Sequence, residues 1–320
     1  MKNTHLIIHA NDTANVKHQL EPTSKQPANV NTYLQAALAA NTKKAYLSDI
    51  KHFMRWGGVI PATAESVAEY LATYANQLSI ATLNRRVVAI GRAHTLQQHH
   101  SPTDSALVKA TLQGIRRVNG SAQRQVLPAM KHDIQAMVKG MTGIKGVRDK
   151  ALLLTGFAGA FRRSELVALQ VADIQFVTEG AVIRIKRSKT DQTGCGRSIA
   201  IPYARGKTCP VTAIQAWLKQ SKITDGCLFR RISKHGTVMD AGITAQSVAL
   251  VVKERASAAG LDAAQYSGHS LRAGLATSAA KAGVSGWKIR QQTGHKSDAM
   301  LNRYIRDSQM FVDNANARIW

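Results

Sequence analysis

Residues 119–128, NGSAQRQVLP, divide the chain at a change of hydrophobic period. The run is polar, holds Gly120 and ends in Pro128, which is the composition of a linker. Before it, apolar residues recur at helical spacing and no alternating run occurs. After it, helical periods are interrupted by an alternating one. A chain of 320 residues built this way reads as an all-helical domain over 29–118 and a mixed domain over 129–320, each long enough to bury its own core. Residues 1–28 are polar, carry Pro22 and Pro27, and read as a disordered arm.

In the first half, NTKKAYLSDIKHFMRWG opens on an Asn41–Thr42 cap and sets Tyr46, Ile50, Phe53 and Met54 on one face, until Gly57 and Gly58 stop it. TAESVAEYLATYANQ carries Glu65 in its first turn and Val67, Tyr70, Leu71 and Tyr74 on one side. SIATLNRRVVAIGRAHTLQ turns Leu83, Val87, Ile90 and His94 inward and Arg85, Arg86 and Arg92 outward. SPTDSALVKATLQGIRRVNG ends in Arg116 and Arg117.

In the second half, AVIRIKRSKTDQTGCGRSIAIP reads as a hairpin, with Ile183 and Ile185 alternating with Arg184 and Lys186 before a Gly-rich turn. Helical segments surround it: HDIQAMVKGM, VRDKALLLTGFAG, CPVTAIQAWLKQ with Pro210 in the first turn, ITAQSVALVVKERASAAG, SLRAGLATSAAKAG, WKIRQQTG and SDAMLNRYIR.

Charge narrows the partner. Lys and Arg number 43 against 19 Asp and Glu, a net charge of +24. Self-repulsion on that scale is offset by a polyanion, and nucleic acid is the usual one. The alternative is generic basicity, as in a ribosome-associated or membrane-surface protein. Lys43, Lys44, Arg85, Arg86, Arg92, Arg116, Arg117 and Arg187 are the candidate DNA-backbone contacts. Cys195, Cys209 and Cys227 are widely spaced and form no CxxC or Cys/His zinc pattern, which indicates a reducing compartment. No apolar run reaches membrane-spanning length, and the N-terminus lacks a signal-peptide pattern, so a cytoplasmic protein is expected. Gly206-Lys207-Thr208 resembles the end of a phosphate-binding loop, but Ile201 stands where its first glycine belongs.

The second half also holds the residues that could carry chemistry. AFRRSELVAL places Arg162 at a helix start, KRSKTDQ places Lys189 beside the hairpin turn, and HSLRAG sets His269 and Arg272 on one helical face. TGHKSD supplies His295 and NRYIR supplies Tyr304. A phosphodiester suits this set. Two guanidiniums can clamp its non-bridging oxygens and stabilise a pentacoordinate transition state. A tyrosine of pKa ~10 needs a histidine base or cationic neighbours to react at neutral pH, and a lysine can protonate the leaving oxygen. Lys186, Arg187 and Arg197 share the hairpin with Lys189 and are the alternatives for that acid. Tyr266, just before His269, is the rival tyrosine.

In order, the positions Arg162, Lys189, His269-Ser-Leu-Arg272, His295 and Tyr304 resemble the pattern of the tyrosine site-specific recombinases, or phage integrase family. The gaps of 23 from Arg272 to His295 and 9 from His295 to Tyr304 fit it, and NRYIRD is closer to the family's Cre-type members than to its Xer-type ones. The resemblance implies a mainly α protein: an all-helical SAM-like core-binding domain, then a mixed α+β catalytic domain with a small antiparallel sheet. It implies Tyr304 as nucleophile, Arg162, Arg272 and His295 on the phosphate, His269 as proton acceptor or oriented donor, Lys189 as general acid, and Glu165 behind the arginines. It further implies no metal and no nucleotide cofactor. The expected partners are double-stranded DNA with inverted-repeat sites and three further copies of the chain in a homotetramer on synapsed DNA, with a monomer free in solution. By the same resemblance, FVDNANARIW is expected to dock on a neighbouring subunit; the alternative is that it folds back on its own domain. A type IB topoisomerase or a non-cleaving DNA-binding protein would share part of the pattern.

Overall fold

The structure is a computed structural model. It describes residues 33, 37–121, 125–186, 188, 191, 196–295, 297, 301–302, 304, 316 and 319. The chain divides into two compact units, Met1–Arg124 and Gln125–Trp320.

Among its described residues the first unit is helical: α1 (Ala40–Trp56), α2 (Ala64–Thr73), α3 (Ile80–Leu96), a 3-10 turn at Pro102–Asp104, and α4 (Ala106–Asn119). Three helix starts are fixed by hydroxyl caps. Thr63 Oγ1 accepts from Ser66 N, Ser79 Oγ from Thr82 N and Ser105 Oγ from Val108 N. The core joins Ile50 and Phe53 of α1 to Val67, Tyr70 and Leu71 of α2, and to Leu83 and Ile90 of α3. α1 differs at its start: it begins at Ala40 after Ala39, without a side-chain cap from Asn41 or Thr42.

The structure corrects the expected placement of Arg86. It does not lie on an outer face. It is 7% exposed, with Nη1 donating to Tyr70 Oη at 2.7 Å and resting 2.9 Å from His52 Nδ1. Its guanidinium stands 5.8 Å from the Tyr70 ring and 5.9 Å from the Tyr74 ring. Burial pushes the Tyr70 hydroxyl up to about 12, so it stays protonated and can accept. An arginine this enclosed contributes to packing between helices rather than to an outside surface. Arg85 is turned outward, but its guanidinium is held on Asp49 by two hydrogen bonds of 2.7 and 2.9 Å.

The second unit opens with α5 (Lys131–Met137), α6 (Gly143–Ala158) and α7 (Arg163–Ala168). The hairpin segment forms β2 (Gly180–Ile185) and β3 (Arg197–Pro202), antiparallel with Ile183 opposite Ile199, and β1 (Ile174–Val177) adds to β2. After α8 (Pro210–Ser221) come a second ribbon, β4 (Arg230–Ile232) with β5 (Val238–Gly242), then α9 (Ala245–Ala258), α10 (Gly268–Lys281) and α11 (Gly286–Thr293). β1 and the β4–β5 pair were not expected from the sequence. Alternation on β2 and β3 turns Ala181, Ile183, Ile199 and Ile201 into one core with Leu152, Val211, Trp217, Phe229, Val252 and Leu271. Trp217 is fully buried and donates Nε1–H to Leu228 O at 2.7 Å. α10 lies against the extended segment before α5, with Ala129 N donating to Ser270 O at 2.9 Å. No helix among the described residues is long and apolar enough to cross a membrane.

Candidate active site

Arginine hydrogen bonds tie the start of α7, strand β3, α10 and the turn after α11 to one another. Arg162 is the N-cap of α7. Its backbone N–H donates to Glu165 Oε2 at 3.0 Å and its Nη1 to Glu165 Oε1 at 2.6 Å, so one carboxylate caps the helix and aims the guanidinium. Nη2 reaches Gly294 O at 3.3 Å. Arg197, on β3, shares Glu165 through Nη2 at 3.5 Å and donates Nη1 to Gln292 O at 2.8 Å. Glu165 is 2% exposed. A carboxylate so enclosed needs both guanidiniums to offset its lost hydration.

Arg272, on α10, is buried. Its Nη1 donates to Ala160 O at 2.8 Å and to Thr293 O. Its Nη2 is buried with no hydrogen-bond partner among the described residues. Burial, then the nearby charge of Arg162, brings its pKa down to about 10, which leaves it a cation at neutral pH.

His269 enters from the first turn of α10, where its backbone N–H donates to Ser267 Oγ at 3.1 Å. Its Nε2 lies 3.1 Å from the Tyr304 hydroxyl. The residue keeps one side open to solvent. Even so, desolvation of the ring, followed by Arg272, Arg163 and Arg162, holds its pKa below the usual histidine value. His295 is enclosed, with Nδ1 2.8 Å from Thr293 Oγ1. Burial and then Arg272, Arg162, His269 and Arg197 lower its pKa to about 4, so it is neutral at pH 7. The His295 and Tyr304 rings stand 5.8 Å apart. Tyr304 is half-buried and helical, and Leu301 beneath it packs on Ala276, Ala280 and Ile289.

The structure thus brings Arg162, Glu165, His269, Arg272, His295 and Tyr304 together. Lys189 and Arg187 lie outside the described residues, as does most of FVDNANARIW. Tyr266 is apart from this chemistry: it is buried, with its hydroxyl 3.5 Å from Asp133 Oδ2. Of the candidate DNA contacts, Lys44, Arg116 and Arg117 are exposed, while Lys43 and Arg92 are half-buried. Sequence reasoning took Arg197 only as a hairpin neighbour of Lys189, not as a partner of Glu165, and left out Thr293. Arg197 carried a signal, being the basic residue that opens the return strand of the hairpin. Thr293 carried only its position two before His295.

A mainly helical protein with a small antiparallel sheet, holding a tyrosine on a histidine beside the buried Arg272 and the partly buried Arg162 and Arg197, fits the class that transfers DNA strands through tyrosine. Comparison with known proteins narrows this. The chain belongs to the phage integrase family, whose pattern matches residues 128–310. It is 39% identical over 298 residues to an integrase/recombinase XerD homolog of Selenomonas ruminantium, covering 90% of this chain and 87% of that protein. It is 24% identical over 297 residues to the recombinase Cre of Escherichia phage P1, covering 85% of each. In fold it is similar to the XerH site-specific recombinase bound to palindromic difH substrate, with TM-score 0.62 at 19% identity over 87% of this chain and 78% of that one. It is also similar to a lambda integrase dimer bound to a COC′ core site, with TM-score 0.61 at 17% identity over 96% and 84%. The protein is a tyrosine site-specific recombinase, a DNA strand transferase.

Proposed function

We propose that Tyr304 is the nucleophile of this recombinase and that strand exchange runs through a 3′-phosphotyrosyl intermediate. The observation that carries the reading is the Tyr304 hydroxyl on His269 Nε2, beside an Arg272 whose buried Nη2 lacks a partner among the described residues. A buried guanidinium N–H left unpaired is costly, and a phosphate oxygen is the acceptor that suits it. In the forward step Tyr304 Oη bonds to phosphorus as the bond to the 5′-oxygen breaks. The tyrosine proton passes to His269, and Lys189 protonates the departing 5′-oxygen. Arg162 and Arg272 hold the non-bridging oxygens and stabilise the added charge, and His295 hydrogen-bonds the phosphate. Glu165 holds Arg162 and Arg197 in place. The phosphotyrosine conserves the bond energy, so religation needs no ATP.

On this reading two copies bind inverted repeats flanking a short spacer, and two such sites synapse as a tetramer that passes through a Holliday junction. Integration, excision or resolution of a mobile element is the resulting biology. The first unit and the second act as the DNA-binding and catalytic domains, and Lys44, Arg116 and Arg117 are available for backbone contact. The relatives support this reading: XerH is bound to its palindromic difH substrate and lambda integrase to a COC′ core site in their structures.

The test is covalent trapping. The protein is incubated without Mg²⁺ with a nicked-duplex library of randomised inverted repeats, and SDS-stable adducts are sequenced. Adducts with wild type that are absent with Tyr304→Phe and that enrich one palindromic site are expected. Equal adducts from both proteins would remove Tyr304 from the role.

A further inference from the structure

Thr293 is fully buried at the end of α11. Its Oγ1 stands 2.8 Å from Ile289 O and 2.8 Å from His295 Nδ1. A threonine hydroxyl has one proton, and a carbonyl oxygen has none to give. Two oxygens at 2.8 Å attract only when a proton lies between them. The hydroxyl proton therefore goes to the helix carbonyl. The other nearby acceptor, Arg290 O at 3.4 Å, is also a helix carbonyl and leads to the same result. What Oγ1 offers His295 is a lone pair, so Nδ1 is the donor. The neutral ring then carries its proton on Nδ1 and a bare lone pair on Nε2.

The turn between the two residues makes this contact possible. Gly294 sits in the left-handed region at φ 67, and a Cβ built on it would come 2.9 Å from Arg197 Cζ. Thr293 also accepts Arg272 Nη1 on its carbonyl. One residue thus anchors the buried arginine through its backbone and the histidine through its hydroxyl.

We propose that Thr293 fixes His295 as the Nδ1–H tautomer, so that His295 can donate to a scissile-phosphate oxygen only after its Nε2 has taken a proton from solvent. Thr293 is then a positioning residue that ties strand cleavage to one proton. This rests on the proposed contact between His295 and the phosphate. Among the described residues the groups facing the ring are Arg162 before α7, Arg197 on β3, His269 and Arg272 on α10, and Tyr304. The cations among them disfavour a charged ring in the free protein. An incoming phosphate opposes them and favours it. DNA therefore supplies the condition under which His295 becomes a donor.

The test has two arms. In the first, protein labelled with ¹⁵N-histidine is studied free of DNA above neutral pH by long-range ¹H–¹⁵N spectra, with His295→Asn used to assign the ring. Wild type should show a protonated Nδ1 and a bare Nε2. Thr293→Ser should match it, and Thr293→Val should move toward the Nε2–H form. A wild-type ring protonated on Nε2 overturns the proposal, and so does a Thr293→Val ring that stays Nδ1–H. In the second arm, single-turnover adduct formation is followed against pH on nicked duplex. Wild type and Thr293→Ser should lose about tenfold per pH unit above the His295 titration in the complex, the slope of one required proton. Thr293→Val, whose neutral ring can donate through Nε2, should be flatter there. Parallel slopes for Val and wild type also overturn the proposal. If wild type forms no adduct on any DNA it binds, the nucleophile reading fails, and the tautomer is still decided by the spectra.

Discussion

The Tyr304 hydroxyl lies 3.1 Å from His269 Nε2, while the backbone N–H of His269 is held by Ser267 Oγ. The contact joins the last described helical residues to the first turn of α10, across 35 residues of sequence. On the proposed reading it gives the phenol a base at hydrogen-bonding distance. Burial and three arginines keep that base neutral, and so able to accept, through the neutral pH range.

Removing this base should slow cleavage without abolishing it. His269→Ala is expected to lower single-turnover adduct formation by roughly 10²–10⁴-fold near neutral pH, the usual range for a general base. The deficit should narrow as pH approaches ~10, where a tyrosine ionises unaided. Adduct formation on a nicked duplex across that pH range measures both. A deficit that is the same at every pH would mean that His269 acts in some way other than by taking the proton.

Glu165 links Arg162 to Arg197, and its loss should strike stability and activity together. Removing one partner of a buried ion pair costs about 3–5 kcal/mol. The arginine side chains here are 17% and 22% exposed, so about 2–4 kcal/mol is expected for Glu165→Ala after allowing for hydration. Glu165→Gln keeps an oxygen for the Arg162 backbone N–H and should lose less stability, yet still misplace the guanidiniums. Chemical denaturation gives the stabilities. Adduct formation at saturating DNA should remain low for Gln even where the protein is fully folded.

The chemistry was more legible in the sequence than its supports. That Arg162, His269, Arg272, His295 and Tyr304 would come together could be expected because residue type and order suffice to suggest a shared phosphate site. The hairpin could be read because six-residue strands show alternation on β2 and β3. β1, β4 and β5, of four, three and five residues, have no fully buried position, so no period-two signal exists to find. Arg86 was misplaced because its partners, Asp49, His52, Tyr70 and Tyr74, come from two other helices, and one helix's period cannot reveal them. Arg197 owes its place to Glu165 and to Gln292 O, 32 and 95 residues away.

Gly274 permits a close approach of backbone to α10. A Cβ built there would lie 1.8 Å from Ala129 O, a backbone atom with no freedom to rotate aside. Ala129 N is itself pinned on Ser270 O. Gly274→Ala should therefore push the 125–130 segment off α10, although alanine is the better helix former by about 1 kcal/mol. Overpacking of this kind typically costs 1–3 kcal/mol, so a net loss is expected. A lower urea midpoint with an unchanged slope would bear this out, whereas a midpoint equal to or above wild type would refute it.

Acid should loosen the first unit through His94. The ring is fully buried. Ala62 N donates to Nε2 at 2.7 Å, and Nδ1 lies 2.8 Å from Ile90 O, to which it must donate. Only the neutral ring satisfies both contacts, because a second ring proton would face the Ala62 N–H. Burial accordingly lowers the His94 pKa. The unfolded chain, with a pKa of about 6.5, then binds more protons than the folded one once pH falls below that value. Stability rises with pH wherever the unfolded state holds more protons. The contribution of His94 is thus complete above about pH 6.5 and is lost as pH falls through that value toward the folded pKa. His52, His269 and His295 are lowered too and act in the same direction. Urea midpoints measured at about pH 7.5 and about pH 5 should therefore fall for wild type. His94→Gln, whose amide can donate to Ile90 O and accept from Ala62 N–H without titrating, should start less stable through poorer packing but lose less on acidification. An equal loss in both proteins would assign the acid sensitivity to the other three histidines.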